Sequence, residues 1–162
     1  MSIVGGTAQD HFRSMVRTEL APELRRLGFR GSGAQFELPS ATHWLLLGLQ
    51  RSTSSTADEV RFTVNLSAVD RQAWNTKRET EKWMGVRPSA NVLGPVTTSK
   101  RLGILVWGTD TWFAIQPNRS TKDVAREVLD AIRDKGISWL RAQESSNDCL
   151  NPPIPLRAEG DK

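Results

Sequence analysis

The chain is short of the residues that most enzyme chemistry and most crosslinking depend on. It has one cysteine, Cys149, two histidines, His11 and His43, and no tyrosine. A single thiol closes no disulfide within the chain, so nothing here asks for an oxidising compartment. Two histidines and one thiol do not build a thiolate-rich zinc site, and neither H-E-x-x-H nor an EF-hand loop occurs. Turn, cap and surface duties account for Asp58, Glu59, Asp110 and Asp123, so no metal and no other cofactor is expected. The run Ser52 to Thr56 offers hydroxyls but no neighbouring histidine to activate one, and no G-x-S-x-G elbow surrounds any serine. Gly31-Ser32-Gly33 begins like a G-x-G-x-x-G phosphate loop, but Phe36 stands in the third glycine's place. That turn also leads from helix to strand, the reverse of the order a dinucleotide fold requires.

Long apolar runs are missing too. The longest, Trp44 to Leu49, is far too short to cross a bilayer as a helix. Met1 to Asp10 carries neither the basic opening nor the apolar run of a signal peptide, so the cytoplasm is the expected compartment and no membrane partner is expected. The net charge is +4, from 22 basic and 18 acidic side chains spread along the chain. Duplex binding rests on about six to ten phosphate contacts gathered on one face. Nucleic acid is therefore possible as a partner but not favoured.

What the chain does have is patterning. Thr7 is placed to cap a helix, and Phe12, Met15, Val16, Leu20, Leu24 and Leu27 follow at helical spacing. Pro22 should kink or restart that helix, and Gly28 should end it. Gly31 to Gly33 is a turn, after which Gln35 to Leu38 and Thr42 to Arg51 read as strands. Val60 to Val69 alternates most cleanly: Val60, Phe62, Val64 and Leu66 point one way, Arg61, Thr63, Asn65 and Ser67 the other. Ser52 to Glu59 joins these two strands as a long hairpin tip. Asp70 to Met84 reads as a polar helix and Gly85 to Ser99 as an excursion without regular structure. Leu102 to Trp107 and Thr111 to Gln116 read as a second hairpin around Gly108. The last helix opens at Ser120 and breaks at Gly136, with a further turn or two from Ile137 to Gln143.

This order predicts an α+β fold: an antiparallel sheet of about five strands, in two hairpins, packed against N-terminal and C-terminal helices. The same reading makes residues 1–144 one domain, with an insertion at about 70–99, and expects a flexible tail over 145–162. Leu27-Gly28-Phe29-Arg30, Gln50-Arg51-Ser52, Arg61-Phe62-Thr63-Val64-Asn65-Leu66, Arg101-Leu102-Gly103 and Asp110-Thr111-Trp112-Phe113 stand in an order and spacing that resembles a bacterial family, domain of unknown function 4304. The resemblance covers roughly Ala8 to Arg141, with Asp70 to Ser99 too irregular to match. It implies the α+β fold and transfers no activity.

The candidate functional residues lie on two hairpins. Arg61, Thr63, Asn65 and Ser67 share one strand face, and Gln50, Arg51 and Ser52 lie near them at the hairpin tip. Guanidinium, amide and hydroxyl groups side by side suit a carboxylate or phosphate, although the same stripe would also arise as the wet face of a half-covered sheet. Trp107 and Trp112 flank the second hairpin turn, where an exposed aromatic pair would make a contact with a protein or a base. Cross-strand packing accounts for such a pair equally well. Trp44 and Trp139 sit among core-like neighbours; exposure of Trp74 or Trp83 would make the insertion a partner surface. The leading expectation is a non-enzymatic protein-interaction or ligand-binding module, toxin neutralisation being one version. Its partner would be another protein or a small anionic ligand. A small enzyme acting on a phosphorylated or acidic metabolite and a weak nucleic-acid binder are the alternatives.

Overall fold

The computed structural model describes residues 6–150, with side chains to residue 145. Helix α1, Ala8–Met15, starts where the sequence places it. The Thr7 hydroxyl accepts the Asp10 N–H, and the Asp10 carboxylate accepts the Thr7 N–H, a reciprocal cap. Pro22 has no N–H to give to the preceding turn, and the helix widens into a π turn over Val16–Leu20 before resuming as α2, Ala21–Arg26. Gly28 then takes a positive φ of 103° and turns the chain into the sheet.

Six strands follow: β1 Arg30–Ser32, β2 Gln35–Leu38, β3 His43–Arg51, β4 Val60–Asp70, β5 Thr97–Arg101 and β6 Phe113–Ile115. All pairings are antiparallel, in the order β1-β2-β3-β4-β5, and β6 pairs with the other end of β4. The fold is α+β. The β3–β4 hairpin is its spine, with nine paired positions from His43↔Asp70 to Arg51↔Phe62. Alternation sends Leu45, Leu47, Leu49, Phe62, Val64 and Leu66 to one face. There they pack with Phe12, Met15 and Leu24, and with Val124 and Val128 of α5, Thr121–Ala131. A second π turn, Ile132–Gly136, leads into α6, Ile137–Leu150. Gly136 does not break this helix as expected; it is buried, and a Cβ there would sit 3.6 Å from the Leu66 and Leu102 side chains. The expected tail begins inside α6, and residues beyond Leu150 lie outside the described part of the chain.

The second hairpin is not formed. Leu102–Trp107 is a short helix, α4, ended by Gly108 at φ 75°, and the strand beside β4 is the preceding polar stretch Thr97–Arg101. Six consecutive apolar residues carry no period that separates strand from helix. Gly103 decides for close packing: a Cβ there would lie 2.1 Å from the Thr111 carbonyl oxygen. The expected polar helix is α3, Arg71–Thr80, capped by Asp70 through the Ala73 N–H. It buries Trp74, whose indole N–H donates to the Gly85 carbonyl. Trp74 packs with Val69 and Met84 beneath the sheet, and Trp44 lies against them with the guanidinium of Arg71 3.7 Å from its ring centre. Trp139 is partly buried against the main core.

A candidate anion-binding groove

The irregular segment after α3 determines which residues of the sheet reach solvent. Residues 88–91 cross the face of β3 and β4 opposite the helices. Asn65 and Ser67 are buried beneath them, and Thr63 on the same face is buried too, which corrects the expectation of a wet strand face. The Asn65 side-chain amide donates to Gln50 Oε1 at 2.8 Å and to Asn91 Oδ1 at 3.0 Å, and Asn91 Nδ2 donates to the Leu49 carbonyl at 3.1 Å. The Ser67 hydroxyl donates to the Ala90 carbonyl. Of the expected stripe only Arg61 stays exposed.

Gln50, Arg51 and Ser52 do come together on a cavity, of about 1070 Å³, between the end of β3, the β1–β2 turn and the N-terminal helix. The helix contributes Arg13, Arg17 and Arg25 from one side, so the cavity is lined by four arginines and, among the described residues, by no carboxylate. Arg51 leaves the helix-facing side of β3, gives a hydrogen bond to Gln9 Oε1 at 2.8 Å, and lies 5.8 Å from the centre of the Phe12 ring. Arg25 donates to the Gly31 carbonyl at 3.0 Å. Both guanidiniums are thus fixed by neutral acceptors, which orient the charge without cancelling it. Arg17 has no hydrogen-bond or ion-pair partner among the described residues. Arg13 alone has a carboxylate, that of Asp10 at 3.3 Å in solvent. Asp10 is held below its ordinary pKa mainly by the Thr7 backbone N–H and hydroxyl, with Arg13 a smaller contributor. Outside the groove Arg71 and Arg87 share Glu37, Arg101 pairs with Asp110, Arg119 with Glu127 and Arg133 with Asp130, whereas Arg30, Arg61, Arg78 and Arg126 stand apart from one another without an ion pair among the described residues.

The serine-rich tip builds its own turn. The Ser52 hydroxyl accepts the Ser54 N–H at 3.1 Å, and the Ser55 hydroxyl accepts the Arg61 N–H at 3.1 Å. Neither histidine lines the cavity. His43 is buried, its Nδ1 2.8 Å from the Thr42 hydroxyl and its Nε2 3.9 Å from Asp70. Among the described residues no three His, Cys, Asp or Glu side chains group to hold a metal ion, and no helix is long and apolar enough to cross a membrane.

Trp107 and Trp112 do not form the expected pair. Trp107 ends α4, half exposed and edge-on to Phe113 at 5.8 Å. Trp112 is partly buried with Arg101 5.2 Å from its ring centre, and neither lines the groove. Trp83 is 70% exposed, its indole N–H donating to the Glu81 carboxylate at 2.9 Å. The helix arginines were not among the residues singled out from the sequence. Their signal is the spacing Arg13, Arg17, Ala21, Arg25, four residues apart on one helical face.

Residues 20–142 match a family described as Domain of unknown function (DUF4304). The chain belongs to this family. The match to DUF4304 starts inside the first π turn and runs through the 70–99 insertion, which the resemblance read from the sequence left out. No curated protein and no solved structure matches the chain. The DUF4304 match spans β3, Gln50, Arg51, Ser52, Arg25 and the Asn91 crossing, but Arg13 and Arg17 precede it.

Proposed function

We propose that this chain is a non-enzymatic binding module that holds an anionic ligand in the groove between its N-terminal helix and the end of β3. One observation carries the reading: Arg17, Arg25 and Arg51 converge on one cavity with, among the described residues, no carboxylate to neutralise them. Guanidiniums gathered without counter-charge are costly to hold together, and a carboxylate or phosphate relieves that cost through paired N–H donors. The catalytic alternative finds less support here. A hydrolytic or group-transfer site needs a general acid or base in reach of the substrate, and among the described residues the groove offers neither a histidine nor a carboxylate. Binding without chemistry is what its side chains suit.

Calorimetric titration with sodium pyrophosphate tests this. The wild-type chain is expected to bind at about millimolar affinity or better, near −4 kcal/mol. The double variant Arg17→Ala/Arg25→Ala should weaken binding by about tenfold or more. Wild-type protein that takes up no pyrophosphate, or a double variant that binds it equally well, removes the proposal.

A further inference from the structure

We infer that the occupant of this groove is an extended acidic segment of a partner protein, with apolar side chains between its carboxylates. The inference rests on the anion-binding reading and adds the shape of the ligand. Arg13 and Arg25 are twelve positions apart on one helical rod, about 18 Å at the α-helical 1.5 Å per residue and somewhat less across the π turn between them. Arg51 extends the row at the Gln9 end. No single phosphate or carboxylate touches both ends of such a row.

The spacing fits an extended peptide. Arg13 and Arg17 are about 6 Å apart along the helix axis. Residues two apart on an extended strand are about 6.6 Å apart and share a face. Carboxylates at the first, third and seventh positions of such a segment meet Arg13, Arg17 and Arg25 in turn. The alternate side chains then face the sheet side of the groove, which Leu49 and Ala34 line.

The backbone offers a further handle. The last pairing of β2 with β3 is Gln35↔Gly48, and the Leu49 N–H reaches back to the Ala34 carbonyl at 2.9 Å. The Ser52 N–H points the other way, to the Arg61 carbonyl at 2.7 Å. By the alternation of a strand, the Arg51 N–H therefore faces the edge that β2 has vacated, inside the groove. An extended segment lying there accepts this N–H as one step of a ladder. Single-stranded nucleic acid lacks its usual platform, because Phe12, the one ring lining the groove among the described residues, is 7% exposed and packed on Phe62 at 5.0 Å.

The test is fluorescence anisotropy with the full chain and four probes. The first is a labelled eight-residue peptide with glutamates at its first, third and seventh positions and leucines between them. The others are the same peptide with glutamine for glutamate, the same with serine for leucine, and a labelled eight-nucleotide oligothymidylate. Unlabelled pyrophosphate serves as competitor. The acidic leucine peptide is expected to bind about tenfold tighter than pyrophosphate, and each altered peptide to lose about tenfold. Arg17→Ala/Arg25→Ala should lose the peptide, while Arg126→Ala, outside the groove, should keep it. Pyrophosphate binding that depends on Arg17 and Arg25, with a peptide no tighter, overturns the peptide inference and leaves the anion site standing. Tighter binding of the oligothymidylate also overturns it. Binding of neither peptide nor pyrophosphate overturns both.

Discussion

Asn91 crosses β3 directly over Gly48, so close that a Cβ on Gly48 would stand 2.3 Å from Asn91 Oδ1 and 3.0 Å from Ala90 Cβ. The missing side chain lets residues 88–91 seat on the sheet and bring the Asn91 amide to Asn65 and the Leu49 carbonyl. Gly48→Ala is expected to lift that crossing and cost about 1–3 kcal/mol, the usual penalty for overpacking. Urea unfolding measures it. In an Asn91→Ala background part of the penalty should vanish, because the nearest obstacle is gone. The same penalty in both backgrounds would mean that Asn91 is not what Gly48 makes room for.

Thr63 gives the opposite sign. Its hydroxyl is fully buried and has no hydrogen-bond partner among the described residues. Such a group keeps its desolvation cost and gains nothing in return. Thr63→Val keeps the branched shape and removes the cost, and thermal unfolding should show a gain of about 1 kcal/mol. Asn65→Ala, two residues along, should instead lose about 1–3 kcal/mol, since it orphans Gln50 Oε1 and Asn91 Oδ1. A destabilised Thr63→Val would point to a partner for that hydroxyl.

These neighbours show which features the sequence makes legible. The β3–β4 hairpin is readable because alternation is a local signal, and α1 and α5 because caps and apolar stripes are local too. Leu102–Trp107 is unreadable as a helix, since six apolar residues in a row fit either period. Thr97–Arg101 is unreadable as a strand because it is a polar edge whose pairing to β4 runs through the backbone. Burial of Asn65 and Ser67 depends on a distant crossing over Gly48, which no local pattern announces. The groove was half visible: Gln50, Arg51 and Ser52 stand out at a hairpin tip, whereas Arg13, Arg17 and Arg25 read as the wet side of an amphipathic helix. Their meaning comes from what lies opposite.

The arginine row should cost the free protein some stability. Arg13 and Arg17 are four apart on one helix, and like charges at that spacing destabilise by about 0.2–0.5 kcal/mol. Arg17→Glu turns the repulsion into attraction. It is expected to raise the unfolding midpoint slightly while pyrophosphate binding is lost. A variant that loses both stability and binding would show that Arg17 serves the fold, and the groove would lose its best functional argument.

Acid should loosen the C-terminal helix from the sheet. Glu144 accepts hydrogen bonds from Arg141 at 2.8 Å and from the Ser40 hydroxyl at 2.9 Å, and Ser40 in turn accepts the His43 N–H at the start of β3. The Arg141 hydrogen bond is the largest influence and, with the smaller help of the Ser40 hydrogen bond and the charges of Arg141 and His43, outweighs burial and holds the Glu144 carboxyl below its ordinary value of 4.5. The folded-state value is therefore the lower one. The stabilisation is complete above about pH 4.5 and disappears as the pH falls through the folded-state value. Its size is at most about 1 kcal/mol, because the pair is partly exposed and screened. Glu144→Gln has no carboxylate to titrate there. Between about pH 6 and pH 3 the wild-type chain should lose more stability than this variant, and the two curves should converge at the acid end. Parallel curves would mean that the Ser40–Glu144 tie adds nothing to the fold, whatever its geometry.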